Sequence, residues 1–351
     1  MAIAVLLSGG VDSSVALHLL RQAGHRDLKA FYLKIWLEDE LADLGSCPWE
    51  EDLHFARQVC AEAGVELEVV SLQREYRQKV VEFALAELVS GRTPSPDLLC
   101  NSRIKFGAFL DLIDPRFDRI ASGHYARLLP GDGSRTLLAR SPDPVKDQTY
   151  FLARLRPDQL DRCLFPLGPL TKAEVRRRAE QLGLANRHRP DSQGICFLGR
   201  IPFEEFVRRH LGDQPGEIRE IDSERLLGQH RGHWFHTIGQ RKGLRLSGGP
   251  WYVVHKDLDA NVVYVTHKES LPAKSRRRFE VSHLHWLLRP EPEEKLLVKL
   301  RHGPSLVAAT LSILGEDRGQ VDLEVADPGV APGQFAVFYR GEICLGSAMI
   351  R

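Results

Sequence analysis

The chain has 351 residues, with 48 Lys+Arg against 47 Asp+Glu and a formal net charge of +1, so no global basic field draws it to nucleic acid, and such a partner needs local basic patches. The length allows two or three domains, and 43% hydrophobic with 27% charged residues is a globular composition rather than a disordered or fibrous one. No stretch approaches the ~18 apolar residues of a membrane span, and Ile3–Leu7 is too short for the core of an export signal, so a cytoplasmic location with no membrane partner is expected.

Residues 1–125 alternate strand and helix. Ile3–Leu7 reads as a buried strand, Val11–Ala23 as a helix stopped by Gly24, and Leu28–Trp36 as a second strand. Trp49–Ala63 predicts a helix with Leu53, Ala56, Val59, Cys60 and Ala63 on one face, and Val65–Val70 a third strand. Leu72–Ser90 predicts a long helix. Pro96–Leu112 predicts another, with Phe106, Phe109, Leu110 and Ile113 at i, i+3, i+4 and i+7. Arg119–Ser122 is a fourth strand, ending at Gly123-His124-Tyr125. This order predicts an α/β, doubly wound parallel sheet with ligands at the carboxyl ends of its strands.

Thr171 to Glu174 forms a capping box that opens a short basic helix ending at Gly183. Residues 184–200 read as a loop, and a break runs from Pro202 to Pro215. Tyr252–Val254 and Val262–Val265 predict a hairpin. From about Arg276, short strands over 296–302, 306–314, 320–326, 335–340 and 343–350 predict a small antiparallel barrel or sandwich. Three units are expected: 1–202, a small central one over 203–274, and a C-terminal β-barrel over 275–351.

Leu6-Leu7-Ser8-Gly9-Gly10-Val11-Asp12-Ser13-Ser14 follows a strand and opens a helix, the context of a phosphate site. Gly9 and Gly10 let an anion approach the backbone, and the N–H groups of Gly10 to Ser14 point at it with the helix dipole behind them. The lysine of a Walker-type loop is missing. Asp12 would repel phosphate, but it makes sense as the holder of a magnesium ion that bridges phosphates.

The six cysteines, 47, 60, 100, 163, 196 and 344, form no CxxC pair, and in a reducing compartment they are thiols by default. In the stretch Gly91 to Phe106, two prolines stiffen the approach to a helix. Asp97 as N-cap puts Cys100 in the first helical turn, near Arg103 and Lys105, where the thiolate is favoured. Asp97 is placed to relay a proton. A buried cysteine on an amphipathic helix fits the local pattern as well. Cys196 lies in the polar loop Asp191-Ser192-Gln193-Gly194-Ile195-Cys196-Phe197, where a reagent can reach it. Cys60, Cys163 and Cys344 read as small buried hydrophobes, and Trp234, Trp251 and Trp286 as packing residues. Arg176–Arg178, Arg187-His188-Arg189, Arg241-Lys242 and Lys274 with Arg276–Arg278 are local basic clusters suited to phosphates.

SGGVDSS resembles the loop of the PP-loop ATP pyrophosphatases. SGGVDSS, GRTPSPDLLCNSRIKF, ASGHYAR, KDQTYFL and DSQGICFLG also occur in the order found in the bacterial tRNA-specific 2-thiouridylases, and HTIGQRKGL, PWYVV and PGQFAVFY extend the resemblance over nearly the whole chain. The resemblance implies ATP-dependent 2-thiolation of the wobble uridine in tRNAs for lysine, glutamate and glutamine. In that scheme uridine O2 is adenylated, and pyrophosphate and AMP are released. Sulfur arrives as a persulfide on Cys196 from a cysteine desulfurase or sulfur-relay protein. Cys100 is the nucleophile that frees it by forming a disulfide with Cys196, and Asp97 is the acid/base neighbour of the base.

By the same resemblance ATP lies on Leu6, Leu7, Ser8, Gly9, Gly10, Val11, Asp12, Ser13, Leu33 and Gly123. The tRNA contacts are Ser95, Pro96, Asp97, His124, Lys146, Asp147, Gln148, Arg301, His302 and Gln334. Ser95 stands where the family commonly has asparagine, His302 where it has tyrosine, and Leu33 where it has methionine. Residues 1–202 become the catalytic domain, 203–274 a tRNA-binding domain, and the chain a monomer. Three alternatives stay open: an amide-forming ligase with the same loop, an RNA-binding protein without chemistry, and an iron–sulfur site built from Cys47, Cys100 and Cys196.

Overall fold

The structure is a computed structural model that describes residues 1–35, 49–133, 135–191, 201–291 and 294–351. Trp36, Cys47 and Cys196 lie outside the described residues. Five parallel strands form the first sheet: β1 (Ala2–Leu6), β2 (Leu28–Lys34), β3 (Glu66–Ser71), β4 (Phe117–Ala121) and, after an intervening hairpin, β7 (Cys163–Leu164). Their spatial order is β3-β2-β1-β4-β7. Every residue of β1 is buried, as a central strand covered on both faces requires. Helices α1 (Val11–Gln22) and α2 (Trp49–Ala63) flank this sheet, and α2 turns Leu53, Ala56, Val59 and Cys60 inward as its periodicity predicts.

Two further helical stretches complete this layer. Residues 73–89 and 96–112 are continuous helices as expected, but each carries a π-helical segment, Arg77–Val81 and Cys100–Ala108. Hydrophobic periodicity at 3.6 residues cannot reveal such a widening, and π segments are frequent at functional sites.

The central sheet has order β10-β11-β8-β9, built from β8 (Gly216–Glu220), β9 (Leu226–His230), β10 (Trp251–Asp257) and β11 (Val262–His267). The β10–β11 hairpin has the expected antiparallel register, with Trp251 opposite His267. The expected break after Pro202 is instead interrupted by a helix, Phe203–Leu211. Pro202 acts as its N-cap, and Phe206 and Val207 anchor it in the interior.

The C-terminal unit is a closed antiparallel barrel. It comprises β12 (Arg276–Trp286), β13 (Lys295–Lys299), β14 (Val307–Ile313), β15 (Arg318–Asp327), β16 (Phe335–Arg340) and β17 (Ile343–Ile350), in order β12-β15-β14-β13-β16-β17 with β17 pairing back to β12. One hairpin was not foreseen. Strands β5 (Ala126–Pro130) and β6 (Thr136–Arg140) leave the N-terminal half and extend the barrel sheet, Ile343 of β17 pairing with Ala139 of β6. The largest hydrophobic cluster accordingly runs from Leu6 and Phe31 through Cys100 and Phe106 to Phe335, Val337 and Tyr339. Burial of that kind, at roughly 25 cal/mol per Å², fixes the barrel against the parallel sheet. No helix among the described residues is long and apolar enough to cross a membrane.

Candidate active site

The glycine loop sits at the carboxyl end of β1. Gly9 has φ +72°, and a Cβ there would stand 2.1 Å from the carbonyl oxygen of Asp52, so only glycine fits. The Gly9 carbonyl is held back by Asn186 Nδ2 at 2.8 Å and an Arg189 guanidinium N–H at 3.0 Å. Across a planar trans peptide the next N–H points the other way, so anchoring this carbonyl aims the Gly10 N–H outward. Gly10 is the N-cap of α1 and makes no side-chain cap, so the first-turn N–H groups stay available to an anion. Ser13 Oγ is shared between the Ser8 N–H, the Ser8 hydroxyl and the Gly10 carbonyl at 3.1–3.2 Å, which shapes the loop. This cradle fits the phosphates of ATP.

The lysine absent from the loop arrives from elsewhere. Lys172, the first residue of the helix Lys172–Gln181, places Nζ 2.7 Å from Asp12 Oδ1 and 2.7 Å from Asp191 Oδ1. Tyr125 donates its hydroxyl to the same Asp12 oxygen at 2.8 Å. Burial, then the Asp12 charge, push the Tyr125 phenol well above its usual range, so it remains a donor. Asp191 also accepts from Lys146 at 2.6 Å and from Arg176. Burial alone would raise its pKa, but hydrogen bonds from Lys146 and Lys172 outweigh that and hold it well below the usual carboxylate range. Among the described residues no group of three His, Cys, Asp or Glu could hold a metal. A magnesium ion on Asp12 would therefore draw its other ligands from phosphates and water, and it would meet an oxygen already claimed by Lys172.

The end of β4 joins the loop to the cysteine helix. A Cβ on Gly123 would lie 2.8 Å from the Ser13 nitrogen and 2.9 Å from the Asp12 carbonyl carbon, so this glycine serves backbone contact with α1. Its neighbour His124 is buried, bonds Ser122 Oγ at 2.7 Å, and packs 6.0 Å from the Phe106 ring on the helix that bears Cys100. Burial first, and Lys105 second, hold His124 far below its usual pKa, hence neutral. Leu33 sits half-buried near the carboxyl end of β2.

The helix at 96–112 starts two residues earlier than Asp97 as N-cap would require. Ser95 is the N-cap and Pro96 the first helical residue, because proline has no N–H to lose there and its φ is preset. Asp97 falls inside the first turn and Cys100 beyond it, at the start of the π segment. Cys100 is 1% exposed, so the buried reading of this thiol holds in the protein alone. Beside it Asn101 is buried. Its Nδ2 donates to the Asp97 carbonyl at 3.1 Å, while its Oδ1 has no hydrogen-bond partner among the described residues.

The residues assigned to tRNA fall into two groups. Gln334 donates to the carbonyls of Thr93 and Pro94 at 3.1 and 3.0 Å, which brings the barrel onto the segment leading to Ser95, Pro96 and Asp97. His302 stacks on Phe151, ring centroids 4.6 Å apart, near enough to Asp97 to feel its charge. The second group is engaged in bonds within the protein. Asp147 is 1% exposed and bonds Lys299, itself 0% exposed, at 2.6 Å, so its carboxylate ties the N-terminal half to β13. Lys146 is committed to Asp191, Gln148 accepts the Tyr125 N–H at 3.0 Å, and Arg301 forms a fork on Asp327 at 2.9 Å. His124 is likewise interior. Of the basic clusters, Arg176 and Arg189 brace the loop rather than face solvent.

Lys172, Asn186, Arg189, Tyr125 and Asp191 are the site residues that sequence reasoning did not assign. Lys172 was hidden inside a capping box, which does form, Thr171 accepting from the Glu174 N–H.

Family models cover nearly all of the chain: the tRNA methyl transferase HUP domain over residues 1–200, the tRNA methyl transferase PRC-barrel domain over 204–267, and the aminomethyltransferase beta-barrel domain over 276–350. With the glycine loop at the end of a parallel strand, these define a nucleotide-binding enzyme of the PP-loop class. The chain is similar to the tRNA-specific 2-thiouridylase MnmA 1 of Bacteroides thetaiotaomicron, 43% identical over 359 residues spanning 100% of this chain and 99% of that one. It is also similar to the tRNA-specific 2-thiouridylase MnmA of Parabacteroides distasonis, 42% identical over 357 residues with the same coverage. The chain belongs to the tRNA-specific 2-thiouridylase family.

Proposed function

We propose that this enzyme replaces O2 of the wobble uridine in tRNAs for lysine, glutamate and glutamine with sulfur, at the expense of ATP. The observation that supports it best is the continuity at the end of β4. Gly123 touches the glycine loop, and His124 packs on the helix that carries Cys100, so one strand end serves both halves of the chemistry.

In this reading Ser8 to Ser13 and Lys172 hold the phosphates of ATP, Asp12 the magnesium ion, and Leu33 the adenine. Uridine O2 attacks the α-phosphorus and pyrophosphate leaves. The terminal sulfur of a Cys196 persulfide then attacks C2, and AMP departs with the oxygen. The Cys100 thiolate attacks Cys196 Sγ; the S–S bond to the transferred sulfur breaks, and its electron pair stays on the new thione. The Cys100–Cys196 disulfide needs two electrons from a thiol reductant before the next turnover. Asp97 serves the proton transfers beside the base, with Asn101 Oδ1 as an acceptor close by. Residues 1–202 act as the catalytic domain, and 203–274 and 275–351 as the tRNA-binding and barrel domains. The protein works as a monomer in the cytoplasm, loaded by a cysteine desulfurase or sulfur-relay protein.

The test is incubation with unmodified tRNA, ATP, magnesium and a persulfide donor, with 2-thiouridine read by mass spectrometry of the digested tRNA. Product that persists in Cys100→Ala or Cys196→Ala would sink the two-cysteine mechanism. AMP release that depends on an amino acid rather than on tRNA would favour the ligase.

A further inference from the structure

An opening lies beside the cysteine helix. It is a cleft of about 890 Å³ between helices 73–89 and 96–112 on one side and β12, β16 and β17 of the barrel on the other. That volume is in the range of small-ligand and nucleotide sites. Six arginines line it, Arg92, Arg103, Arg154, Arg156, Arg318 and Arg351, against the side-chain carboxylates of Glu87 and Asp317.

The arginines are not equivalent. Arg92 is neutralised by a two-pronged bond to Glu87 at 2.7 and 2.6 Å, and Arg156 by one to Asp158 at 3.0 and 2.8 Å. Arg103 and Arg154 have no carboxylate within ion-pair distance among the described residues. Each gives one N–H to a backbone carbonyl, Arg103 to Lys79 at 2.7 Å and Arg154 to His283 at 2.6 Å. Each also lies over an aromatic ring, Arg103 4.8 Å from the Phe83 centroid and Arg154 5.5 Å from that of Phe335. A guanidinium has five N–H donors, so most of the donors on both side chains have no assigned acceptor. Burial first, and the charge of Arg103 second, push Arg154 down to about 10; burial also lowers Arg103. Asp317, the carboxylate that pulls Arg154 the other way, stands 3.3 Å from His283 Nδ1.

Two desolvated like charges that share one cleft cost stability, and a local conflict of this kind is expected where a ligand relieves it. We propose that Arg103 and Arg154 form a phosphodiester-binding clamp for the RNA backbone, in the cleft between the cysteine helix and the barrel. Planar forks held over aromatic rings suit phosphate oxygens. RNA is favoured over an acidic protein segment by position. Leu99 and Ser102 line the cleft and flank Cys100 on one helix, so a backbone held here lies within about one 5.4 Å helical turn of the nucleophile's place on the chain. This rests on the reading of the chain as a tRNA-modifying enzyme.

The experiment measures binding alone, so it stands apart from the thiolation assay. Affinity of the full chain for unmodified tRNA is followed by fluorescence anisotropy across a KCl series, for wild type, Arg103→Gln, Arg154→Gln and Arg156→Gln. The first two variants are expected to bind ~10-fold or more weakly, with the slope of log K against log salt reduced by about one phosphate contact each. Arg156→Gln removes the same formal charge from the same cleft and is expected to stay near wild type, because Asp158 already neutralises it. Arg103→Lys keeps the charge but not the fork and is expected to retain most of the salt slope with lower affinity; thermal melts identify any variant that misfolds. Unchanged affinity and slope in Arg103→Gln and Arg154→Gln overturn the clamp. Equal losses in all three glutamine variants also overturn it, in favour of a diffuse field. Intact tRNA binding with weakened capture of a persulfide-bearing donor protein would overturn it in favour of an acidic protein surface.

Discussion

Lys172 Nζ stands 2.7 Å from Asp12 Oδ1, so the glycine loop obtains its cation from a helix 160 residues away in the chain. The same ammonium reaches Asp191, and without it two carboxylates would face incoming phosphates. Lys172→Met is expected to weaken ATP binding by ~10–100-fold, the loss of a charge-assisted hydrogen bond of about 1.5–3 kcal/mol. The stability change should be smaller, because Asp12 and Asp191 are partly solvated and Lys146 and Arg176 still serve Asp191. Calorimetric titration with a non-hydrolysable ATP analogue measures the first, and urea unfolding the second. Binding equal to wild type would remove Lys172 from the phosphate site.

Gly123→Ala tests the joint between loop and cysteine helix. The added methyl would meet backbone atoms of Ser13 and Asp12 at 2.8 and 2.9 Å, and neither can step aside without moving the start of α1. Overpacking of this kind costs roughly 1–3 kcal/mol. The expected result is a lower urea midpoint together with weaker nucleotide binding. A variant with the wild-type midpoint would mean that β4 and α1 separate easily.

Much of this architecture was legible. The parallel sheet follows from alternating strands and helices with glycine stops, and α2 buries the face its spacing predicted. The glycine loop announced itself because its chemistry needs consecutive residues. Lys172, Asn186 and Arg189 were not legible as site residues, since they reach Gly9 and Asp12 only after the chain folds back over more than a hundred positions. Local pattern misled for Asp97, where the preference of proline for the first helical position moved the cap to Ser95. The pairing of the Asp147 carboxylate with Lys299 of the barrel was likewise not legible, because the two residues lie far apart in the chain. The β5–β6 hairpin escaped for a related reason: its partner strand, β17, lies 200 residues downstream.

The central domain is expected to lose stability on mild acidification. His236 is buried beside His230, their rings 5.6 Å apart, and burial first, then His230, Lys256 and His233, lower its pKa to about 4. In the unfolded chain it titrates near 6.5, so between those values the unfolded state binds more protons and stability falls as pH falls. From pH 7.5 to 5 this group alone removes roughly 2 kcal/mol. Urea midpoints at the two pH values measure the loss, and His236→Asn should shrink it. A wild-type midpoint that rises on acidification would contradict the assignment.

Cys100 is 1% exposed, yet the proposed chemistry requires its sulfur to reach Cys196. A buried thiol is chemically inert until the protein opens around it, because reaction needs both the thiolate and a path to it. The hydrophobic cluster that holds Cys100 draws on both halves of the fold, with Leu99, Ile104 and Tyr150 from the N-terminal half and Phe335 from the barrel. In the protein alone Cys100 should therefore react with iodoacetamide far more slowly than a free cysteine, and no faster than the structural thiol of Cys163, which is equally buried. Addition of unmodified tRNA with an ATP analogue should speed its labelling by at least ~10-fold if substrate binding draws the barrel away from the cysteine helix, whereas Cys163, held to the Gln159 carbonyl at 3.2 Å, should stay silent. Peptide mapping by mass spectrometry separates the two sites. Rapid labelling of Cys100 in the protein alone would show that the thiol is open before substrate arrives, and equal labelling with and without tRNA would mean that the substrate leaves its cover in place.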